Sequence, residues 1–224
     1  MELFPNRESL AKATAEALSE SLSGTGPKSL VVTGGGTPGP VYDRLSALDL
    51  AWANTTVTLS DERWVDPASA DSNERLVRER LLTDRAAAAR FLPLKGSGAS
   101  PEADALEAEL SLRALTPWSA VLLGMGEDGH IASLFPNDPD LAARLDPGGA
   151  RLCVGVSMSG LPPHVARITL TSRALLASRL VVLLITGEPK RTVIERVLAD
   201  QNYAPPVAAI LRQHVAPLRV LWAA

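Results

Sequence analysis

Short apolar segments alternate with longer amphipathic segments along the whole chain. The apolar segments are rich in β-branched residues and predict buried strands over 30–33, 55–59, 120–123, 152–156, 167–170, 180–185 and 218–222. Helical spacing of apolar residues or helix-start signals predict helices over 8–22, 73–82, 100–115, 188–198 and 206–215. Strands that alternate with helices are typical of a mostly parallel sheet with crossover helices. The pattern therefore predicts an α/β fold.

The length and composition are those of a globular protein. The chain has 224 residues, of which 46% are hydrophobic and 21% charged, so we expect one folded domain over residues 1–224. The net charge of -3 argues against a broad basic surface for nucleic acid, although a local cationic pocket is compatible with it. We expect no nucleic-acid partner, and a monomer or a weak homo-oligomer.

Cysteine use and hydropathy indicate a cytoplasmic protein. The sole cysteine, Cys153, has no second thiol in the chain with which to form a disulfide. The first residues, MELFPNRESLAKA, carry charges where a signal peptide needs an apolar core. No stretch approaches the roughly 20 apolar residues of a membrane-spanning helix, and the most apolar candidate, 180–185, is predicted as a core strand. We therefore expect no association with a membrane.

Asp128 and His130 lie in a glycine-rich loop that directly follows the strand predicted over 120–123. The sequence there is LLGMGEDGHIASLFP, residues 122–136. Ligands bind open α/β sheets beyond the carboxyl ends of their strands, and the glycines permit a tight turn that aims both side chains the same way. A lone loop histidine is often only hydrogen-bonded, but this one has a carboxylate two positions away. We predict a catalytic pair of carboxylate and imidazole.

A second glycine cluster, LVVTGGGTPGP, occupies residues 30–40. A strand runs there into three glycines, after which Thr37 is predicted to cap a helix that starts at Pro38. The amides of Gly35 and Gly36, together with the helix N-terminus, offer donors and a favourable dipole to a phosphate. The spacing fits neither a P-loop nor a dinucleotide-binding fingerprint. The alternative is a tight strand-to-helix turn without a ligand.

Charged residues crowd the segment that follows the second predicted strand. Asp61, Glu62 and Arg63 are consecutive, and Asp66 follows closely. A solvated loop is the common explanation of such a run. The neighbouring Trp64 weakens that explanation, because Arg63 beside an aromatic ring could present a fixed guanidinium to a carboxylate, a phosphate or a developing oxyanion.

Two further cations stand at the ends of predicted elements. Arg167 enters a strand, and Lys190 lies in the first turn of a helix, where a cation opposes the helix dipole unless an anion is bound; an ordinary surface lysine is the alternative. His164 and His214 lack comparable neighbours and are expected to be structural or exposed. No cluster of histidine, cysteine and carboxylate has metal-ligand spacing, and Ser133 lacks the Gly-x-Ser-x-Gly context of a hydrolase nucleophile. The residues favour a metal-free, non-covalent hydrolytic or proton-transfer site.

Five segments stand in order along the chain: TGGGTP (33–38), SDERWVDPASADSN (60–73), LLGMGEDGHIASLFP (122–136), PPHVARITLT (162–171) and ITGEPKR (185–191). Together they resemble the 6-phosphogluconolactonase family over nearly the whole chain. The resemblance implies hydrolysis of 6-phospho-D-glucono-1,5-lactone to 6-phosphogluconate, the second step of the oxidative pentose phosphate pathway, without a cofactor. It also implies a three-layer α/β/α fold with a Rossmann-like sheet, shared with glucosamine-6-phosphate deaminases.

The resemblance implies a role for each candidate residue. His130 would act as the general base on a water molecule, Asp128 would orient the imidazole or stabilise its charged form, and Arg63 would stabilise the oxyanion or hold the product carboxylate. The phosphate would be held by Gly35, Gly36, Thr37, Arg167 and Lys190. Arg167 could instead serve the lactone end of the substrate, and Asp61 could bind sugar hydroxyls or brace the loop.

Two rival functions accompany this hypothesis. Glucosamine-6-phosphate deaminases are similar in the glycine loop and in Asp-Gly-His, but they have a glutamate five residues after the histidine, which assists ring opening. Here that position is Phe135, whose ring can neither orient an imidazole nor move a proton. The other rival is a non-catalytic sugar-phosphate sensor. The absence of an attached DNA-binding segment and the presence of the base with its carboxylate weigh against a sensor.

Overall fold

The computed structural model describes residues 1–157 and 165–224, and the strands found there form two sheets. In chain order the strands are β1 Glu2–Phe4, β2 Lys28–Val32, β3 Thr55–Leu59, β4 Asp61–Arg63, β5 Arg90–Leu92, β6 Ala120–Leu123, β7 Cys153–Val156, β8 Arg167–Leu170, β9 Val181–Thr186 and β10 Leu218–Ala223. The helices are α1 Arg7–Leu22, α2 Gly39–Ser46, α3 Asn73–Arg80, α4 Pro101–Leu115, α5 Leu141–Leu145, α6 Ser172–Leu176, α7 Glu188–Ala199 and α8 Ala208–Leu211. Across these two ranges, no helix is long and apolar enough to cross a membrane.

The larger sheet has the strand order β1-β10-β9-β6-β2-β3-β5, and its pairings are parallel. The inner strands β2, β6 and β9 are rich in valine and leucine, whose side chains are buried, as expected for strands covered on both faces. The mostly parallel sheet predicted from the sequence is therefore confirmed. Because parallel strands end at one edge, the loops that follow β2, β3, β6 and β9 lie at the same side of the molecule.

The smaller sheet is antiparallel, has the order β4-β8-β7 and is attached to that carboxyl edge. Ser60, the residue between β3 and β4, makes the attachment. Its backbone N–H donates to the carbonyl oxygen of Val32 at the end of β2 (2.7 Å), and its carbonyl oxygen accepts from the backbone N–H of Leu170 at the end of β8 (2.8 Å). These two bonds fix β4 and β8 beside the loops of the larger sheet.

The seven predicted strands are present, with ends that move by no more than two residues. Three short strands were not predicted. β1 and β5 are three-residue strands at the two edges of the larger sheet, and β4 has the charged sequence Asp-Glu-Arg. Segments this short show no periodicity, so only their tertiary partners define them as strands. The motif residues 162–164, with His164, lie outside the described residues.

The helix predicted over 206–215 is wrong beyond a single turn, because α8 spans only Ala208–Leu211. The side chain of Gln213 ends the helix. Its Oε1 accepts from the backbone N–H groups of Val215 (2.5 Å) and Ala216 (2.8 Å), and its amide nitrogen donates to the carbonyl oxygen of Ala216 (2.7 Å). Side-chain bonds of this kind compete with the helical backbone ladder.

Close packing of β7 on the start of α4 makes Gly155 sensitive to substitution. A Cβ at this position would lie 2.6 Å from the backbone nitrogen of Glu102 and 2.9 Å from its Cα. We expect Gly155→Ala to lower the free energy of unfolding by about 1–3 kcal/mol, because helix backbone and not a mobile side chain must move. Urea unfolding followed by circular dichroism measures the change.

The matched control for this prediction is Gly26→Ala, since no atom lies within 4 Å of the added Cβ. We expect Gly26→Ala to change the free energy of unfolding by less than about 0.5 kcal/mol. Equal stabilities for the two variants would contradict the described packing of α4 on β7.

Candidate active site

A cavity of about 270 Å³ opens at the carboxyl edge of the larger sheet. It is lined by residues from the loops after β2 and β6, from β4 and β8, and from the start of α7. The predicted site residues that line it are Gly35, Gly36, Thr37, Asp61, Arg63, His130, Arg167 and Lys190. The structure thus brings these residues together, while their individual roles stay predictions.

Asp128 holds the imidazole of His130 by its Nδ1 atom. The distance from Asp128 Oδ1 to Nδ1 is 2.6 Å, and the same oxygen accepts from the backbone N–H of His130 at 3.1 Å. Two glycines permit the turn: Gly129 has φ +81°, and a Cβ on Gly126 would collide with the imidazole ring. With Nδ1 engaged, Nε2 is the ring nitrogen available for a ligand.

Tyr42 holds the start of the glycine loop in place through its buried hydroxyl. Its hydroxyl donates to the carbonyl oxygen of Thr33 and accepts from the backbone N–H of the same residue (3.1 Å). Burial raises the pKa of Tyr42 well above its ordinary value, so the hydroxyl keeps its proton. Beyond Thr33 the loop turns at Gly35, where φ is +91°. The expected cap at Thr37 is wrong, because Pro38 holds the cap position and α2 begins at Gly39.

Three residues of the charged cluster after β3 form the strand β4, in which Asp61 and Glu62 are buried, whereas Asp66 is exposed in the loop that follows. Asp61 is 5% exposed and Glu62 is 1% exposed. Asp61 accepts from the hydroxyl of Ser60 through Oδ1 (2.9 Å) and from the hydroxyl of Ser133 through Oδ2 (2.7 Å). Because Ser133 belongs to the His130 loop, this carboxylate ties that loop to β4.

The carboxylate of Glu62 anchors the segment that follows β4. Its carboxylate accepts from the backbone N–H groups of Arg63 (2.7 Å), Asn73 (2.8 Å) and Glu74 (2.7 Å), and from the hydroxyl of Ser72 (3.0 Å). Burial raises the pKa of Glu62 and these four donors oppose the rise. The cap of α3 is Ser72 and not Asn73, whose side chain instead donates to the carbonyl oxygen of Asp61 and lines the cavity.

Two arginines face each other across the β4–β8 pair, where the register places Arg63 opposite Arg167. Burial lowers the pKa of Arg167 and the charge of Arg63 lowers it further, while Asp61 raises it. Arg63 donates through Nη1 to the carbonyl oxygen of Asp71 (2.6 Å), and its buried Nε has no hydrogen-bond partner among the described residues. Like charges opposite each other in a sheet are destabilising, so a bound anion would stabilise this pair.

Lys190 enters the cavity from the first turn of α7. Burial lowers the pKa of Lys190, and the nearby charge of Glu127 acts in the opposite direction. Gly187, with φ +86°, makes the turn from β9 into this helix. A partly desolvated ammonium at a helix start is a favourable place for a bound anion, because its own interaction with the helix dipole is repulsive.

Phe135 packs against two of the site's charged groups. Its ring centroid lies 4.9 Å from that of His130, with the rings tilted by 48°. The guanidinium carbon of Arg167 lies over the same ring, 5.4 Å from the centroid. Phe135 thus contacts the imidazole by packing, and its phenyl ring has no group that accepts or donates a proton.

Tyr42, Glu62, Asn73 and Ser133 were not predicted as parts of the site. Three of them, Glu62, Asn73 and Ser133, carried a signal, since each lies within one of the five motifs. His214 is exposed, as expected. No group of three or more His, Cys, Asp or Glu side chains that could hold a metal ion occurs in the two described ranges.

Comparisons with known proteins show the family and the fold of the chain. The family described as glucosamine-6-phosphate isomerases/6-phosphogluconolactonase matches residues 6–222. A 6-phosphogluconolactonase of Caulobacter vibrioides is 44% identical, over 100% of this chain and 97% of its own length. The crystal structure of a 6-phosphogluconolactonase from Shewanella baltica superposes with a TM-score of 0.93 at 38% identity, covering 100% of this chain and 97% of that one.

The fold is also shared with a deaminase. The structure of a monomeric glucosamine-6-phosphate deaminase has a TM-score of 0.82 and covers 100% of this chain and 97% of that one. At 19% identity this likeness concerns the fold alone. The predicted fold class is confirmed.

Removal of the Tyr42 hydroxyl tests the support of the glycine loop. We expect Tyr42→Phe to lower the free energy of unfolding by about 1–3 kcal/mol, because both backbone polar groups of Thr33 lose their buried partner. Hydrogen exchange at the backbone amide of Thr33 should quicken. Denaturant unfolding and amide exchange measured by NMR check the two effects.

Tyr203→Phe is the matched control, because the hydroxyl of Tyr203 makes no hydrogen bond in the described part of the chain. It should leave both measurements near those of the wild type. A Tyr42→Phe protein as stable as the control would show that the hydroxyl does not hold the loop.

Proposed function

The chain belongs to the glucosamine-6-phosphate isomerase/6-phosphogluconolactonase family, and on that premise we propose that it hydrolyses 6-phospho-D-glucono-1,5-lactone to 6-phospho-D-gluconate. This reaction is the second step of the oxidative pentose phosphate pathway. The observation that supports it most is the His130–Asp128 pair, which faces the same cavity as two arginines, a lysine and a glycine loop. Phe135 takes the position of the glutamate that deaminase chemistry needs.

His130 is the general base in this proposal. With Nδ1–H donating to Asp128, Nε2 accepts a proton from a water molecule as its oxygen attacks the lactone carbonyl carbon. The tetrahedral intermediate then collapses with cleavage of the ring C–O bond, and the imidazolium returns the proton to the departing ring oxygen. The products are an open chain with a free hydroxyl and a carboxylic acid, which ionises. The carboxylate of Asp128 stabilises the transient imidazolium.

The arginine pair serves the lactone end. Arg63 and Arg167 stand opposite each other on β4 and β8, and they offer two guanidinium groups to the developing oxyanion and to the product carboxylate. Asp61 has both oxygens engaged by serine hydroxyls, which favours a bracing role over direct binding of sugar hydroxyls.

The glycine loop and Lys190 hold the phosphate at the other end. Gly35, Gly36 and Thr37 line the cavity, and Lys190 reaches it from α7. Backbone amides donate hydrogen bonds to a phosphate without a mobile side chain, and the half-buried ammonium adds a charge that water screens only partly. Binding energy at the phosphate thereby orients the lactone carbonyl toward His130.

The direct test measures hydrolysis of the lactone generated in the cuvette, with the spontaneous rate subtracted. We expect His130→Asn to fold and to lose at least about 100-fold in kcat, because asparagine cannot accept the proton. In the wild type kcat/KM should fall toward acid pH, because only a neutral imidazole can accept the proton of the attacking water.

The control for this variant is His214→Asn, at an exposed histidine outside the cavity. It should hydrolyse the lactone like the wild type. A wild-type protein that binds 6-phosphogluconate without accelerating hydrolysis would contradict the proposed function, and full activity of His130→Asn would contradict the base.

Lys190→Gln separates the phosphate end from the reacting end. We expect KM for the phospholactone to rise about 10- to 100-fold with little change in kcat, because a charge-assisted bond to the phosphate is lost. The slow hydrolysis of unphosphorylated gluconolactone should not change. Steady-state kinetics on the two lactones measure both effects.

The same lysine sets an alkaline limit on binding. Because burial lowers the pKa of Lys190, its charge is lost at a lower pH than the ordinary 10.5, and KM of the wild type should rise there. If Lys190→Gln left KM for the phospholactone unchanged, Lys190 would not bind the phosphate.

A further inference from the structure

The geometry points to Phe135 as a positioning residue whose uncharged ring keeps the imidazole of His130 and the guanidinium of Arg167 in fixed places. The inference rests on the proposed function, in which His130 is the base. It is independent of Asp128, because it concerns a different contact of the imidazole. It assigns to an apolar side chain a function in a site otherwise described by its polar groups.

Two contacts of one ring carry the inference. The imidazole centroid of His130 lies 4.9 Å from the centroid of Phe135, and the Arg167 guanidinium carbon lies 5.4 Å from it, over the face. A cation over an aromatic face within about 6 Å of the centroid is attracted to it. The ring is 7% exposed, so these contacts are made where little water screens them. The ring of Phe135 therefore contacts both the base, His130, and the cation, Arg167, so a movement of the ring would affect both.

The segment before Phe135 holds the ring in place. Ala132 has φ +47°, which is strained for a residue with a Cβ, and the backbone of Leu134 donates to the carbonyl oxygen of Ile131 (2.9 Å). Ser133 anchors this turn through its backbone and its side chain. Its N–H donates to Thr169 Oγ1 (3.1 Å), and its hydroxyl donates to the carboxylate of Asp61. A tight turn with two buried anchors leaves the ring little freedom to rotate away.

Charge at this position would alter the base directly. Asp128 contacts the imidazole directly, and the charged side chains that line the cavity with His130 are Asp61 and Arg63 from β4, Arg167 from β8 and Lys190 from α7; the charge of Glu127 acts on Lys190. A second carboxylate within about 5 Å would stabilise the protonated imidazole and would also attract the guanidinium. An uncharged ring avoids both effects.

Three variants at this position test the inference by steady-state kinetics over the pH range. Phe135→Leu removes the ring but keeps an apolar side chain. We expect its kcat/KM to fall about two- to thirty-fold with an unchanged pH midpoint, because the cation–aromatic contact and the imidazole packing are lost. Phe135→Gln and Phe135→Glu form a matched pair of equal shape. We expect the acid limb of kcat/KM to lie about one pH unit higher in the Glu variant than in the Gln variant.

For the Gln and Glu pair, the pH midpoint separates the effect of charge from mere stability, because partial unfolding lowers the amount of active enzyme without moving that midpoint. For the Leu variant, kcat/KM per folded protein, measured well below the melting point, makes the same separation. Wild-type kcat/KM in Phe135→Leu, or equal midpoints in the Gln and Glu variants, would overturn the inference. If the Glu variant fails to fold, the Leu variant still decides, by its kcat/KM at a temperature well below its melting point. Failure of the proposed function would appear separately, as absent hydrolysis by the wild type.

Discussion

Parallel pairing of β2, β6 and β9 is the constraint on which the site depends. The register pairs Val31 of β2 with Val121 of β6, and Val121 with Val181 of β9. Each strand then ends at the same edge, where the glycine loop, the His130 loop and the start of α7 follow. A register slip of one residue would move a loop by about 3.3 Å, which exceeds the roughly 1 Å displacement that already reduces catalysis. The buried apolar faces of these strands prevent such a slip.

The small antiparallel sheet adds what the parallel sheet lacks, a concentrated positive charge. Its register sets two arginines opposite each other, an arrangement that costs energy without a compensating charge. Asp61 supplies part of the compensation and is itself stabilised by two serine hydroxyls. In the proposed function, the anionic groups of the substrate would reduce the remaining repulsion between the two guanidinium groups.

The His130 loop depends on both sheets. Its glycines permit the turn that places Asp128 against the imidazole, and Ser133 ties the loop to β4 and β8. Phe135 follows within the same segment and packs on the base and on Arg167. A short stretch of sequence thus provides the base, its orienting carboxylate, its anchor and its apolar neighbour. Substitutions within this stretch are therefore not independent of one another.

The parallel core and the candidate residues could be predicted from the sequence. Apolar periodicity located the inner strands because burial on both faces requires continuous apolar side chains, and the glycine loops were visible because positive φ angles favour glycine. The motifs indicated the family. Nine site residues were predicted, and eight of them line the cavity. Asp128, the ninth predicted residue, contacts the imidazole.

The environment of those residues depends on tertiary contacts that the sequence does not show. A three-residue strand of charged side chains has no local signal, so the burial of Asp61 and Glu62 follows from the pairing of β4 with β8. The contacts of Tyr42 with Thr33 and of Ser133 with Asp61 join residues whose types are common in any protein. From the sequence, Phe135 was notable only because no glutamate stands at that position. Its packing on His130 appears only in the tertiary structure, because packing depends on distances that a linear sequence does not contain.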